Sequence, residues 1–391
     1  MDDGQVDGLD ERQDGPDSRL DGLDERLDGL DDRLDGLDSR LDELDERQDG
    51  LDARLDELDA RLDELVHAVD LDGLVRLIDD RCSDRDWAGL LRVRDRCAAA
   101  TRESGRQLWP AATLAEYRLA LLAPPEWAAV VLDGEAGRFT IGPLSEVAAV
   151  HHTWADLAPH LHPVPVALFV AHERALRGEA IDPATTDALP PVLDIPVEPR
   201  PWEPVYPTST YTDAGAEHPE PPESGRLESV TVERTADEID AMVVDDEATE
   251  SAVRQLVDAW TSSSTGRAEV VCVEGTHLDA LAALGVRSAR LTTIPADEAL
   301  ARLAWAGASG GAHGRRRGMA IGRFSMWWVL GAMGDLHDAW PPSDAAIAAL
   351  LAELRWYRWD AHEPEGGWRL QLLVENVSEG VAWAINASDA A

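Results

Sequence analysis

Lysine is absent from this chain: all 35 basic residues are arginine, against 76 acidic residues, for a formal net charge of −41. Phosphate backbones are held by basic surface, so the balance argues against sequence-independent nucleic-acid binding. A Walker-type phosphate loop needs a lysine and is excluded. Cysteine is scarce. Cys82, Cys97 and Cys272 show no metal-ligand spacing and no even framework, which points to reduced thiols in a cytoplasm and to no metal site or cofactor. Long apolar runs are missing too. The longest, 164–171 and 324–330, fall far short of the ~20 residues that span a bilayer, so no membrane partner is expected. The first residues are acidic and lack the apolar core of a signal peptide. Phenylalanine (three) and tyrosine (four) are few, but 14 tryptophans, mostly in apolar contexts, call for packed domains. Abundant alanine beside arginine without lysine reads as a GC-rich coding sequence; acidic adaptation to high salt is the competing explanation.

What is present is a heptad. From Arg19 the chain reads RLDGLDE, RLDGLDD, RLDGLDS, RLDELDE, RQDGLDA, RLDELDA, RLDELVH. Leu20, Leu23, Leu27, Leu30, Leu34, Leu37, Leu41, Leu44, Leu51, Leu55, Leu58, Leu62 and Leu65 alternate at spacings of three and four. A 3.5-residue period is the signature of a left-handed coiled coil and predicts self-association. With Leu20 at position a, arginine fills every g position from Arg19 to Arg61 and aspartate fills e from Asp24 to Asp59. In a parallel pair the g arginines from Arg19 to Arg54 face the e aspartates of the partner from Asp24 to Asp59; one exposed pair contributes only a few tenths of a kcal/mol, but the rows together select partner and orientation. Gly22, Gly29, Gly36 and Gly50 sit at c and cost about 1 kcal/mol each relative to alanine. Aspartate at b makes the outer face repel itself. Gln48 is the lone polar residue at a. Pro16 bars an earlier start, and Asp17 or Ser18 is the expected cap. About fifty residues at 1.5 Å rise give a rod of roughly 75 Å. The alternative is a repeat expansion encoding a charged tail.

Beyond the heptad, helical patterning runs to about residue 180, with helices expected near 108–122, 142–161 and 165–177 and a short strand at 138–141. Residues 181–226 are rich in proline and acid and read as an extended linker whose first half, with Ile195, Val197, Trp202, Val205 and Tyr206, docks on the preceding domain as a strap. The remainder reads as α/β: strands at 268–273 and 287–294, a helix capped by Thr276, helices near 295–305, 316–336 and 343–354, a hairpin of 354–359 and 368–375, and a final helix at 381–385. The expected fold is therefore α+β or mixed. Its parts are a disordered acidic N-terminus (1–16), a coiled coil (17–67), a helical domain (68–180), a linker (181–226) and an α/β domain (227–391).

Three places carry candidate chemistry. The loop Ser309-Gly310-Gly311-Ala312-His313-Gly314-Arg315-Arg316-Arg317-Gly318 places glycines and three adjacent arginines before a helix N-terminus, the arrangement that binds anions. Ser309, Gly310, Gly311, His313, Arg315, Arg316 and Arg317 are the candidate ligand-binding residues. The competing reading is a surface loop whose arginines pair with the protein's own carboxylates. His151, His152, His160, His162 and His172 cluster within 22 residues, but Leu176 stands where a zinc-protease helix needs its second histidine; capping and helix packing account for them more simply. Glu274 and His277 follow a strand end, where a general base is conceivable and a helix cap more ordinary. No catalytic residue emerges.

Several stretches carry a resemblance: YRLALLAPPEWAAVVL (117–132), GPLSEVAAVHHTWADLAPHL (142–161), AHERALRGE (171–179), PWEPVYP (201–207), SGGAHGRRRG (309–318), and LRWYRWD with the tail SEGVAWAINASDA. Together they resemble an uncharacterised protein family of high-GC actinobacteria, over residues 70 to 391 and without the heptads. The resemblance implies a bacterial cytoplasm and GC bias rather than halophily. It also implies that the HERALRG helix, the PWEPVYP strap and the GRRRG loop share one architecture; it carries no activity. The sequence thus leads to an oligomeric scaffold or interaction protein, whose partners are copies of itself and, beyond them, another protein. The alternative is an enzyme or small-molecule-binding regulator using loop 309–318 for an anionic ligand.

Overall fold

The computed structural model describes residues 16–132, 142–162, 165–187, 189–232, 238–239, 242–362 and 366–390. The expected disordered N-terminus (but for Pro16) and the strand expected at 138–141 lie outside them. The chain divides into two compact units, Met1–Ala68 and Val69–Ala391.

In the first unit the heptads form one unbroken helix, α1 (Pro16–Ala68), 53 residues long and so about 80 Å. Proline in the first turn matches the start, since its missing N–H has no acceptor there. Along α1, Leu30, Leu34, Leu37, Leu41 and Leu44 are 51–58% exposed. Gln48 is exposed with them. The side chains of Leu20, Leu23, Leu27, Leu51 and Leu55 lie outside the described ones.

The second unit opens with helices α2 (Leu71–Asp84), α3 (Trp87–Ser104), α4 (Trp109–Leu122) and α5 (Pro125–Leu132). The Asp70 and Asp86 carboxylates cap α2 and α3 by accepting from the N–H groups of Gly73 and Gly89. The expected helix 142–161 is broken. α6 (Leu144–His151) ends at His152, and α7 (Trp154–Leu157) restarts from Thr153, whose hydroxyl accepts from the Asp156 N–H. A cap residue directly after a histidine pair marks that break. Next come α8 (Pro165–Leu176) and the single turn α9 (Pro183–Thr186).

Residues 181–226 lie within the second compact unit. Their prolines keep them extended, apart from α9 and the small hairpin β1 (Thr210–Thr212) and β2 (Gly215–Glu217). Leu193, Ile195 and Tyr206 are buried in one core with the C-terminal helices. The strap therefore docks on the C-terminal part of the chain as well as on the helices that precede it.

The C-terminal part is a seven-stranded sheet in the order β3-β6-β7-β8-β9-β5-β4, antiparallel throughout. Its strands are β3 (Glu228–Thr231), β4 (Val243–Val244), β5 (Arg267–Glu274), β6 (Ser288–Ile294), β7 (Leu354–Asp360), β8 (Trp368–Asn376) and β9 (Val381–Asp389). This makes the region α+β rather than a parallel α/β layer.

The larger core is built by α10 (Glu247–Leu256), α11 (Asp258–Ser262), α13 (Ala296–Ala308), α14 (Met319–Met333) and α15 (Asp344–Glu353) against the sheet; α12 (His277–Ala283) covers the other face. The helix expected at 381–385 is instead strand β9, near the middle of the sheet. Its residues alternate: Trp383, Ile385 and Ala387 enter the larger core, while Ala382 and Ala384 face the smaller one. Helix α12 packs over that second face, and the alanines leave room for it. Alanine here answers to packing, not to helix propensity. α13 and α14 cross closely at Gly322. A Cβ there would lie 2.1 Å from the Ala304 carbonyl oxygen, so only glycine admits the crossing. Among the described residues no helix is long and apolar enough to cross a membrane.

Candidate functional site

The loop 309–318 joins α13 to α14, and its geometry is set from inside the protein. The Trp260 indole N–H donates to Ser309 Oγ at 2.8 Å, and Gly311 N–H donates to the same oxygen at 3.3 Å. Ala312 N–H donates to Asp389 Oδ2 at 2.6 Å. Gly311 has φ +69°, and a Cβ on it would lie 2.2 Å from that carboxylate oxygen. The carboxylate that meets the loop backbone is that of Asp389, the last residue of β9.

The arginines divide. Arg316 turns inward and makes a bidentate pair with Glu146 of α6, at 2.7 and 2.8 Å; the Glu146 side chain is wholly buried. The Tyr211 hydroxyl donates to the same carboxylate at 2.7 Å. Burial alone would push the Glu146 carboxyl up, but the guanidinium beside it holds it below the ordinary carboxylate range. Arg317 donates to the carbonyls of Gln255 and Leu256, at the C-terminus of α10, where a cation suits the helix dipole. Of the three expected clamp arginines, Arg316 and Arg317 are engaged by groups of the protein itself, and Arg315 and His313 lie exposed on the rim of the loop.

Beneath Arg316 lies a buried polar network that joins α8, the strap and α14. α14 begins at Gly318, which has no side chain to cap it. Glu173 of α8 supplies the cap instead, accepting the Ala320 N–H at 2.7 Å, and its other oxygen accepts from Arg177 at 2.6 Å. Burial, and then the nearby charge of Glu146, raise the Glu173 carboxyl. One turn on, Arg323 is fully buried. It donates to both Glu203 oxygens at 2.6 and 2.7 Å and to the carbonyls of Pro196, Val197 and Glu198. Its guanidinium also meets His172 Nδ1 at 3.2 Å. Arginine only donates, so Nδ1 accepts and the proton of the neutral ring sits on Nε2. Burial, with Arg323 beside it, pushes the His172 ring down to about 3. The HERALRG helix, the PWEPVYP strap and the GRRRG loop are therefore one assembly, held by Glu173, Glu203, Arg316 and Arg323. The sequence held one signal for this: an arginine amid the otherwise apolar α14.

Above the loop is a cleft of about 960 Å³. Trp305 and Trp368 line it with Ser262, Ser263, His218, His313 and Arg315. His218 Nδ1 lies 2.9 Å from Ser209 Oγ, and burial, then Arg316, lowers its ring. The cleft thus holds two imidazoles, hydroxyls and two indole faces. Of its hydroxyls, that of Ser309 is already taken up by Trp260 and Gly311.

The other candidates separate from this place. The clustered histidines do not converge: His151 and His160 are exposed, His162 is exposed, and His152 and His172 are buried. Among the described residues, no three His, Cys, Asp or Glu side chains come together as a metal site. His277 opens α12 on the opposite sheet face. Its Nδ1 lies 2.7 Å from Glu375 Oε2, and the ring stacks on Tyr357 at 3.9 Å. Glu274 is exposed, and Glu375, from the neighbouring hairpin, takes the place beside the histidine. The Thr276–Asp279 capping box starts that helix as expected.

Comparison with curated proteins and with solved structures finds no match. Residues 72–391, the whole compact unit but for its first residues, match DUF6183, a family of unknown function, and the chain belongs to that family.

Proposed function

We propose that this protein is an oligomeric scaffold that self-associates through α1 and carries the DUF6183 unit as its display or interaction module. One observation carries the reading. A continuous 53-residue helix bears a row of leucines, of which Leu30 to Leu44 are 51–58% exposed on the single chain. A long helix gains its stability by covering such a stripe, and at heptad spacing another helix covers it. The charged loop, in turn, is engaged by the protein's own carboxylates. The setting we infer is the cytoplasm of a high-GC actinobacterium, with Cys82, Cys97 and Cys272 as free thiols. Light scattering tests the reading on the full chain, on a Leu34→Glu/Leu41→Glu variant and on a chain starting at Leu71, in low and high salt. An oligomer that becomes monomeric in both altered forms supports it. A monomeric full chain at micromolar concentration would remove it.

The cleft favours a second reading, a small-molecule-binding regulator. Apolar walls with a few polar groups suit a ligand, and the rim bearing Arg315 and His313 suits an anionic one. A melting shift with inorganic phosphate or nucleotides that is lost in Arg315→Ala/His313→Ala would support this; no shift in the parent would dismiss it.

A further inference from the structure

The heptads of α1 differ in one informative way from a generic leucine repeat: up to Val66 in the last heptad, the two flanks of the stripe carry opposite charges. Arginine occupies g at 19, 26, 33, 40, 47, 54 and 61, and aspartate occupies e at 24, 31, 38, 45, 52 and 59. α1 runs through all of them without interruption, so the flanks stay in phase along its length. In a parallel pair, g faces e of the partner, and the contacts from Arg19–Asp24 to Arg54–Asp59 are all Arg opposite Asp, while the last arginine, Arg61, faces Val66. In an antiparallel pair, g faces g and e faces e. One side of the rod would then be a row of facing arginines and the other a row of facing aspartates.

Gln48 adds an independent constraint. It interrupts an otherwise leucine-filled a row. In a parallel, aligned assembly the Gln48 amides meet one another in a single layer and bond mutually. In an antiparallel assembly of full overlap each amide lies among leucines near position 37 of its neighbour and loses its partner. A parallel slip by one heptad keeps the Arg–Asp contacts along the rod except at its ends but separates the glutamines. Charge therefore selects direction, and Gln48 selects alignment.

We infer that the occupant of the α1 leucine stripe is another copy of this chain in parallel, aligned residue for residue. The inference rests on the self-association reading and deepens it. Because each Val69–Ala391 unit is joined to the C-terminal end of α1, a parallel rod delivers all its copies to one end. There, weak contacts with a repetitive partner reinforce one another.

Single cysteines at Leu30 and Leu55, each in a full-length Cys82→Ser background, read the direction, since Cys97 and Cys272 are buried. The two are placed so that 30 meets 30 and 55 meets 55 in a parallel rod, whereas 30 meets 55 in an antiparallel rod of full overlap. After mixing, exchange and mild oxidation, L30C–L30C and L55C–L55C disulfides should exceed the mixed species at least tenfold. Predominance of the L30C–L55C product, or statistical amounts of all three, overturns the inference while leaving self-association standing. No disulfide in any combination, together with a monomeric mass, defeats the self-association reading itself.

Discussion

Replacing Arg316 with methionine should destabilise the compact unit severely, although the residue lies in a loop beside an open cleft. The Arg316 side chain is 7% exposed and that of Glu146 is wholly buried. Removing the guanidinium takes away both bonds to the carboxylate and leaves it with the Tyr211 hydroxyl alone. An uncompensated charge of this kind costs ~3–5 kcal/mol, against a total of ~5–15 kcal/mol for a folded domain. Glu146→Gln/Arg316→Met removes the charge and keeps an acceptor for Tyr211, so the double variant should recover ~2–3 kcal/mol of that loss. The pH dependence has a definite sign. In the parent, Glu146 is held below its ordinary range, so its contribution is present at neutral pH and is lost as pH falls from that range through the lower point at which the folded carboxyl protonates. In Arg316→Met the same carboxyl is held up by burial, so acid relieves the strain and the gap to the parent narrows as pH drops. Urea unfolding followed by tryptophan fluorescence reads all of this. A loss under ~1 kcal/mol in Arg316→Met, or strict additivity in the double variant, would refute the buried-pair argument.

The same structure sets other outcomes. His172, with its ring pushed down to about 3, stays neutral in the folded protein while it charges in the unfolded chain. Stability should therefore fall below pH 6.5, by ~2 kcal/mol from this group at pH 5, and His172→Gln should flatten the slope between pH 6.5 and 4.5; equal slopes would count against it. Gly311→Ala should cost ~1–3 kcal/mol through its positive φ and the Asp389 contact, whereas Gly36→Ala on α1, with open space around it, should stabilise the rod by up to ~1 kcal/mol; opposite shifts in melting temperature check the pair. Glu173→Ala removes the cap of α14 and the partner of Arg177 and should cost ~2–4 kcal/mol, measured by chemical denaturation. Glu173→Gln, which keeps an acceptor for the Ala320 N–H, should cost less.

Features that depend on near neighbours were legible in the sequence. The α1 heptads, the Thr276 cap, the 354–376 hairpin and the helix of 165–176 each rest on spacings within a few residues. The loop 309–318 was legible as an anion-receiving geometry, but its anions were not. Asp389 lies far along the chain, and Glu146 stands 170 residues from Arg316. β9 was misread because alanines that look helical are there to admit α12 over the sheet, a demand no local pattern expresses. The Pro-rich stretch showed its extension and a docking first half, but not that this half packs on the C-terminal helices nor that Val205 stays exposed, since proline dictates backbone conformation and not what packs on it.

By itself the sequence determined a charged, leucine-striped helix with polarity written into its flanks, and a packed unit rich in tryptophan, because side-chain period and charge are local properties. Only the tertiary structure decided that two of three adjacent arginines face inward, and that a strap, a helix and a loop form one buried network. The sheet order, too, was settled only there. Those outcomes turn on which distant carboxylates desolvate together, and burial of charge is settled by the whole fold rather than by any one segment.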